Sequence, residues 1–539
     1  MQARRFPVAD PVTGLCRQVH LGVARYGPRN HGRDRVTMAA NSPETSRHTE
    51  TERKFEVVES TVSPSFDGLS AVGRVERSPS QSLDAVYFDT PGRDLARHRI
   101  TLRRRTGGTD AGWHLKLPAG ADSRTEVHAP LSDDGDAAHP TVPESLRDIV
   151  LAIVRDRPLA PVARISTLRN VDVLYGPDGS AVAEFCDDQV TASAVGGDEQ
   201  NWREWELELR PGADSEVFDR LTNRLLDAGA RPAGHGSKLA RVLESSAPVE
   251  ETTEAVAAST DPARRAVAVH LEELIEWDRA VRADAWDSVH QMRVTTRKIR
   301  SLLQSSEGSF DIADHEWVLD ELRELAAVLG VARDAEVLAE RYQRAIDQLP
   351  EANVRGPVRE RLVDGAEKRY QTGWKRSLTA MRSQRYFRLL DALEELIATE
   401  PVASGQGETP AELTIDSAYK RVRKAAKAAR AAAADAGTES DEALHRIRKR
   451  AKQLRYTAAA IGENKVAERA KVIQSLLGDH QDSVVSRTHL SRQAQAAHAA
   501  GEDTFTYGLL YQQEDDLAVR CEEQIEDALR QLDKSVGRR

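Results

Sequence analysis

Three stretches in the first half of the chain set like charges two residues apart. They are Glu50-Thr-Glu52-Arg-Lys54, Leu102-Arg103-Arg104-Arg105 and Trp202-Arg-Glu204-Trp-Glu206-Leu-Glu208-Leu. Side chains of a β-strand alternate between faces. Glu50, Glu52 and Lys54 therefore share one face, Arg103 and Arg105 another, and three glutamates a third, with Trp205, Leu207 and Leu209 turned the other way. For any single strand, a charged face simply turned to water explains the pattern as well. Acidic and basic faces on separate strands of one small region shift the balance. Glutamates on a common lumen would hold a hard divalent cation through oxygen. Arginines would fork onto phosphate oxygens. A triphosphate carrying Mg²⁺ needs both signs; a neutral sugar or an apolar ligand needs neither.

The second half repeats a different chemistry. His290-x-x-Arg293-x-x-x-Arg297-x-x-Arg300 and His445-x-x-Arg448-x-x-x-Lys452-x-x-Arg455 have identical offsets. Lys420, Arg423, Lys427 and Arg430 repeat the spacing without a histidine. At 3.6 residues per turn each set forms one narrow cationic stripe. Met292, Ile299, Leu302 and Leu303 fall opposite the first, and Ile447, Ala451 and Leu454 opposite the second. An ordinary solvated stripe is laced with acids one turn away. These stripes lack them, and like charges at i, i+4 cost roughly 0.2–0.5 kcal/mol per pair. An anionic ligand would offset that cost. No second histidine or carboxylate sits at ligand spacing on the stripes, so His290 and His445 suit an anion contact or a helix–helix hydrogen bond better than a metal. Leu329-Gly330-x-x-x-Asp334-x-x-Val337 follows the first stripe, and Leu477-Gly478-x-x-x-Asp482-x-x-Val485 the last. Two elements recurring in order argue for a duplicated helical bundle.

The elements that must carry these residues follow from pattern. Thr51–Val58, Ala85–Asp89, Thr101–Arg105, Trp113–Leu117, Ala181–Phe185 and Trp202–Leu209 read as short strands separated by Gly, Pro and Asp turns. A helix is expected over Ser215–Ala228. Residues 245–262 are rich in Ser, Thr, Pro and Glu and read as a linker, and long helical periods run from there to the C-terminus. Residues 1–45 are basic and without apolar period, a disordered tail or an upstream extension of a chain starting at Met38. The 539 residues hold 76 Lys+Arg against 86 Asp+Glu, a net charge of −10. A wholly basic nucleic-acid coat is thereby excluded. Mean hydropathy is −0.54, and no run of about 18 apolar residues offers a membrane span. Cys16, Cys186 and Cys521 are too far apart for a disulfide framework or a CxxC zinc site, which fits a reducing, cytoplasmic compartment.

Residues 50–241 resemble the CYTH family. The opening E-x-E-x-K matches Glu50, Glu52 and Lys54. The Y-x-D-T element matches Tyr87-Phe-Asp89-Thr90, the L-R-x-R strand Leu102–Arg105, and W-x-L-K-x-P Trp113, Leu115, Lys116 and Pro118, followed by Arg124 and Glu126. Arg169, Asp187-Asp188, Glu204–Glu208 and Ser237-Lys238 complete the order. Leu168 stands before Arg169 where relatives often carry a polar or basic residue. The resemblance implies an eight-stranded antiparallel β tunnel over residues 46–244 with a charged interior. It implies Mg²⁺ or Mn²⁺ on Glu50, Glu52, Glu206 and Glu208, with Glu204 on the same face. It implies phosphate contacts by Lys54, Arg103, Arg105, Lys116, Arg124, Arg169 and Lys238. It also offers Lys54 as the catalytic base beside Glu50 and Glu52, a role that requires neighbouring arginines to depress the lysine pKa.

Residues 263–535 resemble the CHAD family, an α-helical domain often fused behind a CYTH domain. The H-x-x-R-V-x-x-R-K-x-R-S form matches His290–Ser301, and H-x-x-R-x-x-x-K-x-L-R-Y matches His445–Tyr456. The resemblance implies two four-helix units around a basic channel for inorganic polyphosphate, contacted by His290, Arg293, Arg297, Lys298, Arg300, Lys420, Arg423, Lys427, His445, Arg448, Lys452 and Arg455. The physics agrees. Polyphosphate carries charge on every unit and has no bases to stack. The stripes offer few aromatics, whereas single-stranded nucleic-acid grooves normally supply stacking platforms.

The expected architecture is therefore α+β in two domains, a β tunnel and then an all-α duplicated bundle. The expected function is a metal-dependent triphosphate hydrolase, inorganic triphosphate first among substrates, with a polyphosphate-binding helical half that would bring it to polyphosphate granules. CYTH-like tunnels also serve thiamine triphosphate and nucleotide cyclisation. The alternative is a non-catalytic polyphosphate-binding protein whose tunnel only holds a chain end. A protein–protein scaffold with incidental charge is a third reading, and it would not prefer condensed phosphate to sulfate.

Overall fold

A computed structural model describes residues 45–120, 122–131, 140–244, 262–305, 315–398, 415–432, 438–460 and 462–537. The expected tail and linker, Met38 included, lie outside these apart from residues 45 and 262. Among the described residues no helix is long and apolar enough to cross a membrane.

Ten strands form one antiparallel sheet: β1 (Ser46–Val57), β2 (Arg74–Arg77), β3 (Gln81–Asp89), β4 (Thr101–Thr106), β5 (Gly112–Pro118), β6 (Ser123–Ala129), β7 (Ala160–Tyr175), β8 (Ala181–Ala194), β9 (Gln200–Leu209) and β10 (Arg231–Pro232). Eight of them close in the order β1-β6-β5-β4-β3-β7-β8-β9, because β1 also pairs with β9; β2 and β10 are appended. Closure turns on Thr51. Residues up to it pair with β6, where Glu50 lies opposite Arg124. Residues from it onward pair with β9, where Lys54 lies opposite Glu206. The expected strands are present, several of them longer than expected. Sequence pattern did not mark β2, β6 or β10, and it reached β7 only through the arginine strand expected at Arg169; in β6 and β7 alternation is diluted by polar residues on both faces.

The apolar face of this barrel is turned mostly outward. Phe55, Phe185, Trp205 and Leu207 are buried beneath Phe218, Leu221 and Leu225 of helix α4 (Ser215–Asp227). Three shorter helices, α1 (Asp94–Arg97), α2 (Glu144–Ile149) and α3 (Leu151–Val154), lie between strands. Asp214 caps α4 by accepting from Glu216 N at 3.0 Å, a cap worth about 1 kcal/mol. With that layer covered, the even-numbered residues of β1 are left to face the lumen. The lumen itself has two zones. Ala85, Tyr87, Ala163, Ile165, Val190, Ala192 and Ala194 pack on Leu239, Val242 and Leu243 of helix α5 (Lys238–Glu244). The other zone is charged.

The chain separates into two compact units, residues 1–326 with 378–401, and 327–377 with 402–539. The first holds the barrel together with α6 (Pro262–Arg282), α7 (Ser288–Ser305), the start of α8 (His315–Asp347) and α10 (Gln384–Ala398). Between β6 and β7, Arg155 is 1 % exposed and paired with Asp391 and Glu394 of α10. Asp148 receives both Arg282 and Arg382 at 3.0 Å. These pairs tie the barrel to helices that sequence reading assigned to the other half.

The second unit holds most of α9 (Gly365–Met381) with α11 (Ile415–Ala432), α12 (Thr438–Ala460), α13 (Asn464–Ala499) and α14 (Phe505–Val536). Its core is a four-helix layer of small residues. Val422 and Ala426, Ala451 and Leu454, Ala470 and Ile473, and Ala528 and Leu532 come one pair from each of α11 to α14. Alanine at these positions lets the helices approach closely and is the best helix former.

Candidate functional site

The lumen gathers every barrel residue assigned to phosphate or metal, along with several that were not. Alternation puts Glu50, Glu52 and Lys54 of β1 inward, and pairing carries that phase around the barrel to Lys116, Arg103, Arg105, Arg169, Glu206 and Glu208. Lys238 enters from α5.

Each lysine sits among carboxylates. Lys54 Nζ lies 2.8 Å from Glu52 and 2.8 Å from Glu206. Lys116 Nζ touches Glu50 at 2.5 Å and Glu126 at 3.2 Å. Lys238 Nζ is 2.9 Å from Asp188, 2.7 Å from Glu204 and 2.7 Å from Glu206. Arg169 forks onto Asp188 at 2.8 and 2.6 Å and reaches Glu206 at 2.5 Å. Arg124 stands 3.7 Å from Glu52.

These neighbours decide protonation. Burial pulls the Lys54 pKa down, but Glu206 and Glu52 outweigh it and hold the ammonium above its usual range. The condition for a lysine base, depression by arginines, is not met in this arrangement, and Lys54 acts as a cation. Burial raises Glu52, yet Lys54 and Lys116 bring it to about 2. Glu50 goes the other way: burial, then its contact with Glu126, push it up to about 7.

Two arginines are less fully paired, although against burial the Tyr87 and Glu126 charges still hold Arg103 above its usual range. Among the described residues Arg103 hydrogen-bonds only to the Tyr87 hydroxyl, at 3.4 Å, and its buried Nε has no partner. Arg105 pairs with Asp110, but its Nε too is buried and unpartnered. Burial first, then repulsion from Arg103, draws Arg105 down to about 9. Positive charge is in excess around Arg105, and a bound anion would relieve it.

The acids converge in two groups among the described residues: His48, Glu50 and Glu126, and Asp188, Glu204 and Glu206. Lys238 touches all three acids of the second group, where a divalent cation would otherwise sit. Glu206 is thus engaged by Lys54, Lys238 and Arg169, which leaves little of its charge for a metal. Glu52 and Glu208 stand in neither group. They face each other across β1 and β9, with Glu184 beyond. Like charges directly opposite destabilise a sheet, and Glu208 makes no ion pair or hydrogen bond among the described residues. Burial raises its pKa. Hard oxygen donors for a divalent ion are thus available at Glu50 and Glu126, with His48 at the rim, where Lys116 now lies between the two acids, and separately at Glu52 and Glu208.

Sequence reading gave no role to His48, Glu126, His114, Tyr87 or Asp188. Period two points to the first two: His48 is two residues before Glu50, and Glu126 two after Arg124. His114 bonds Glu126 through Nδ1, and burial lowers its pKa to about 4.

The stripes differ. Arg297, Lys298, Lys420, Arg423, Lys427 and His445 are exposed; His290, Arg293, Arg300, Arg448, Lys452 and Arg455 are half-buried. Met292, Ile299, Leu303, Ile447, Ala451 and Leu454 opposite them are buried. Two acids absent from the sequence pattern do approach. Arg430 is forked onto Glu526 at 2.9 and 2.6 Å, and Lys298 lies 3.5 Å from Glu273.

Comparison with known proteins accords with these two regions. A CYTH domain model matches residues 48–230 and a CHAD domain model residues 265–491. The chain belongs to both families, a CYTH domain followed by a CHAD domain. Uncharacterized proteins Rv2226 and MT2285, from Mycobacterium tuberculosis strains ATCC 25618 / H37Rv and CDC 1551 / Oshkosh, are each 64 % identical to it over 514 residues, 93 % of this chain and 99 % of theirs. Among solved structures, PptA from Streptomyces chartreusis is 16 % identical with TM-score 0.41, over 50 % of this chain and 98 % of its own. The CHAD domain from the plant Ricinus communis is 22 % identical with TM-score 0.38, over 50 % and 90 %. For the CYTH region, the putative adenylyl cyclase HpAC1 from Hippeastrum, titled as having a dominant triphosphatase activity, is 16 % identical with TM-score 0.21, over 37 % and 99 %.

Proposed function

We propose that the CYTH tunnel hydrolyses inorganic triphosphate with Mg²⁺ or Mn²⁺, and that the CHAD helices bind inorganic polyphosphate. One observation carries the tunnel reading: Arg103 and Arg105 line a closed barrel with buried, unpartnered Nε atoms, while on another wall half-buried Glu208 stands opposite Glu52 with no ion pair of its own among the described residues. Under-paired groups of each sign suit a phosphate chain lying on the arginines with a divalent ion on the acids. A bound metal would supply neutralisation of charge developing on phosphate oxygens. Glu50, Glu52, Glu126 and Glu208 would hold it. Arg103, Arg105, Lys116, Arg124, Arg169 and Lys238 would clamp the chain, and Lys54 would stabilise a phosphate oxygen as a cation.

A second reading is favoured by the protonated Lys54: the tunnel grips a chain end without turnover. A panel of triphosphates and polyphosphate, with and without Mg²⁺, scored for binding and for phosphate release, separates the two. Metal-dependent release from inorganic triphosphate supports the hydrolase. Tight binding without release supports the grip. Equal response to sulfate at matched charge removes both.

A further inference from the structure

The Leu-Gly-x-x-x-Asp-x-x-Val element follows a cationic stripe in both copies, yet Leu477–Val485 itself contains no lysine or arginine. This second copy adds no cation to the track, unlike Leu329–Val337, which carries Arg333. In the second unit its surroundings are explicit. Leu477 is buried in the α11–α14 core with Leu454 and Ala451 of α12. That anchor sets the rotation of α13 and turns the next residue, Gly478, toward Arg448 of the stripe. A Cβ on Gly478 would stand 3.2 Å from Arg448 Nη2, 3.6 Å from Cζ and 3.7 Å from Nε. Three guanidinium atoms at nearly equal distance mean that the plane lies flat over the glycine. Contacts of 3.2 Å are tighter than ordinary van der Waals packing of a methyl group, so any larger residue displaces the guanidinium. Arg448 is half-buried and makes no hydrogen bond or ion pair among the described residues.

One turn on, Asp482 faces the same arginine. Burial raises its pKa, Arg341 and Arg448 oppose that, and Asp479 and Asp334 add to it. Arg341 is already engaged by Glu514 and by Ser483 at 3.1 Å. Arg448 is therefore the cation near Asp482 that has no acid bonded to it. Asp334 is the aspartate of the first copy, so the two repeats bring their acids into one field.

We propose that this element is a positioning device for the stripe: Gly478 is the seat on which the Arg448 guanidinium lies, Asp482 steers it by charge, and its N–H groups are left open to a phosphate of a polyphosphate chain. The proposal rests on the polyphosphate reading of the helical half. It explains why glycine, a poor helix former, occupies the interior of a 36-residue helix.

The test is a double-mutant cycle in the full chain, with size-fractionated inorganic polyphosphate titrated at several salt concentrations and thermal melts in parallel. Arg448→Ala should weaken binding about tenfold and reduce the log K against log salt slope by about one. Gly478→Ala should weaken it about three- to tenfold without lowering the melting temperature, since alanine is the better helix residue. Gly478→Ala should have no further effect in the Arg448→Ala background, and little effect with Arg448→Lys, whose ammonium needs no flat seat. Gly478→Ser serves as the second variant if the alanine form melts early. Wild-type affinity in Gly478→Ala and Gly478→Ser, or full additivity with Arg448→Ala, overturns the proposal. A wild-type chain that ignores polyphosphate at low salt overturns the polyphosphate reading instead, and the positioning role with it.

Discussion

The tunnel and the second helical unit handle charge in opposite ways. In the lumen both signs are buried together and largely satisfy one another: Lys54, Lys116 and Lys238 each touch two or three carboxylates. On α11 and α12 one sign dominates, exposed or half-buried, and Arg430 is forked onto Glu526. Buried pairs cost desolvation and reward exact geometry. Open cations act at a distance and are screened by salt. On the proposed function, the first arrangement would select a small, metal-bearing anion of fixed length, and the second would accept any stretch of a long one.

The largest effect should come from removing tunnel acids. Glu50→Gln with Glu52→Gln takes away several kcal/mol of charge stabilisation, about a thousandfold in metal-dependent phosphate release. Steady-state assays on a variant with unchanged melting temperature check this. Next, salt should divide the two regions. Raising it from about 50 to 200 mM should weaken polyphosphate binding by about a thousandfold if six or more phosphates are neutralised. Triphosphate binding in the lumen should lose less than about tenfold, because buried charges are poorly screened. Equal losses would erase the distinction.

Lys238→Met strands Asp188, Glu204 and Glu206 without their shared cation. Urea melts should show about 3–5 kcal/mol lost, part of it restored by added Mg²⁺. Acidity gives a smaller, graded effect. Glu50, raised to about 7, is protonated below that pH, so a divalent ion must displace a proton there. Metal affinity measured by calorimetry should fall about tenfold per unit from pH 7 to 5 and level off above 8, and Glu50→Gln should flatten the slope. The smallest effect belongs to Arg430→Ala. Its pair with Glu526 is exposed and worth under about 1 kcal/mol, and polyphosphate binding should change less than about twofold.

How much of this the sequence disclosed depends on distance along the chain. Period two in Glu50–Lys54 and Glu204–Glu208 announced a shared face, and the 3.6-residue period announced the stripes, because both are local. The direction of the face was not local. It needed α4 to cover Trp205 and Phe185 so that the glutamates turned inward. Glu126 was quoted as part of a motif but gained its role only when β6 paired with β1 and β5. The raised Lys54 pKa depends on Glu206, 152 residues away, so no reading of E-x-E-x-K could foresee it. The seat beneath Arg448 joins two helices and was visible in the sequence only as an unexplained repeat.

A crystal structure of the full chain with inorganic triphosphate and Mn²⁺ tests the lumen most directly. The expected result is a triphosphate inside the barrel on Arg103 and Arg105, anomalous density for the metal near Glu50, Glu52 and Glu208, and Lys116 moved from Glu50 toward a phosphate oxygen. A lumen with its lysine–carboxylate pairs unchanged, and triphosphate bound only at the helices, would contradict it.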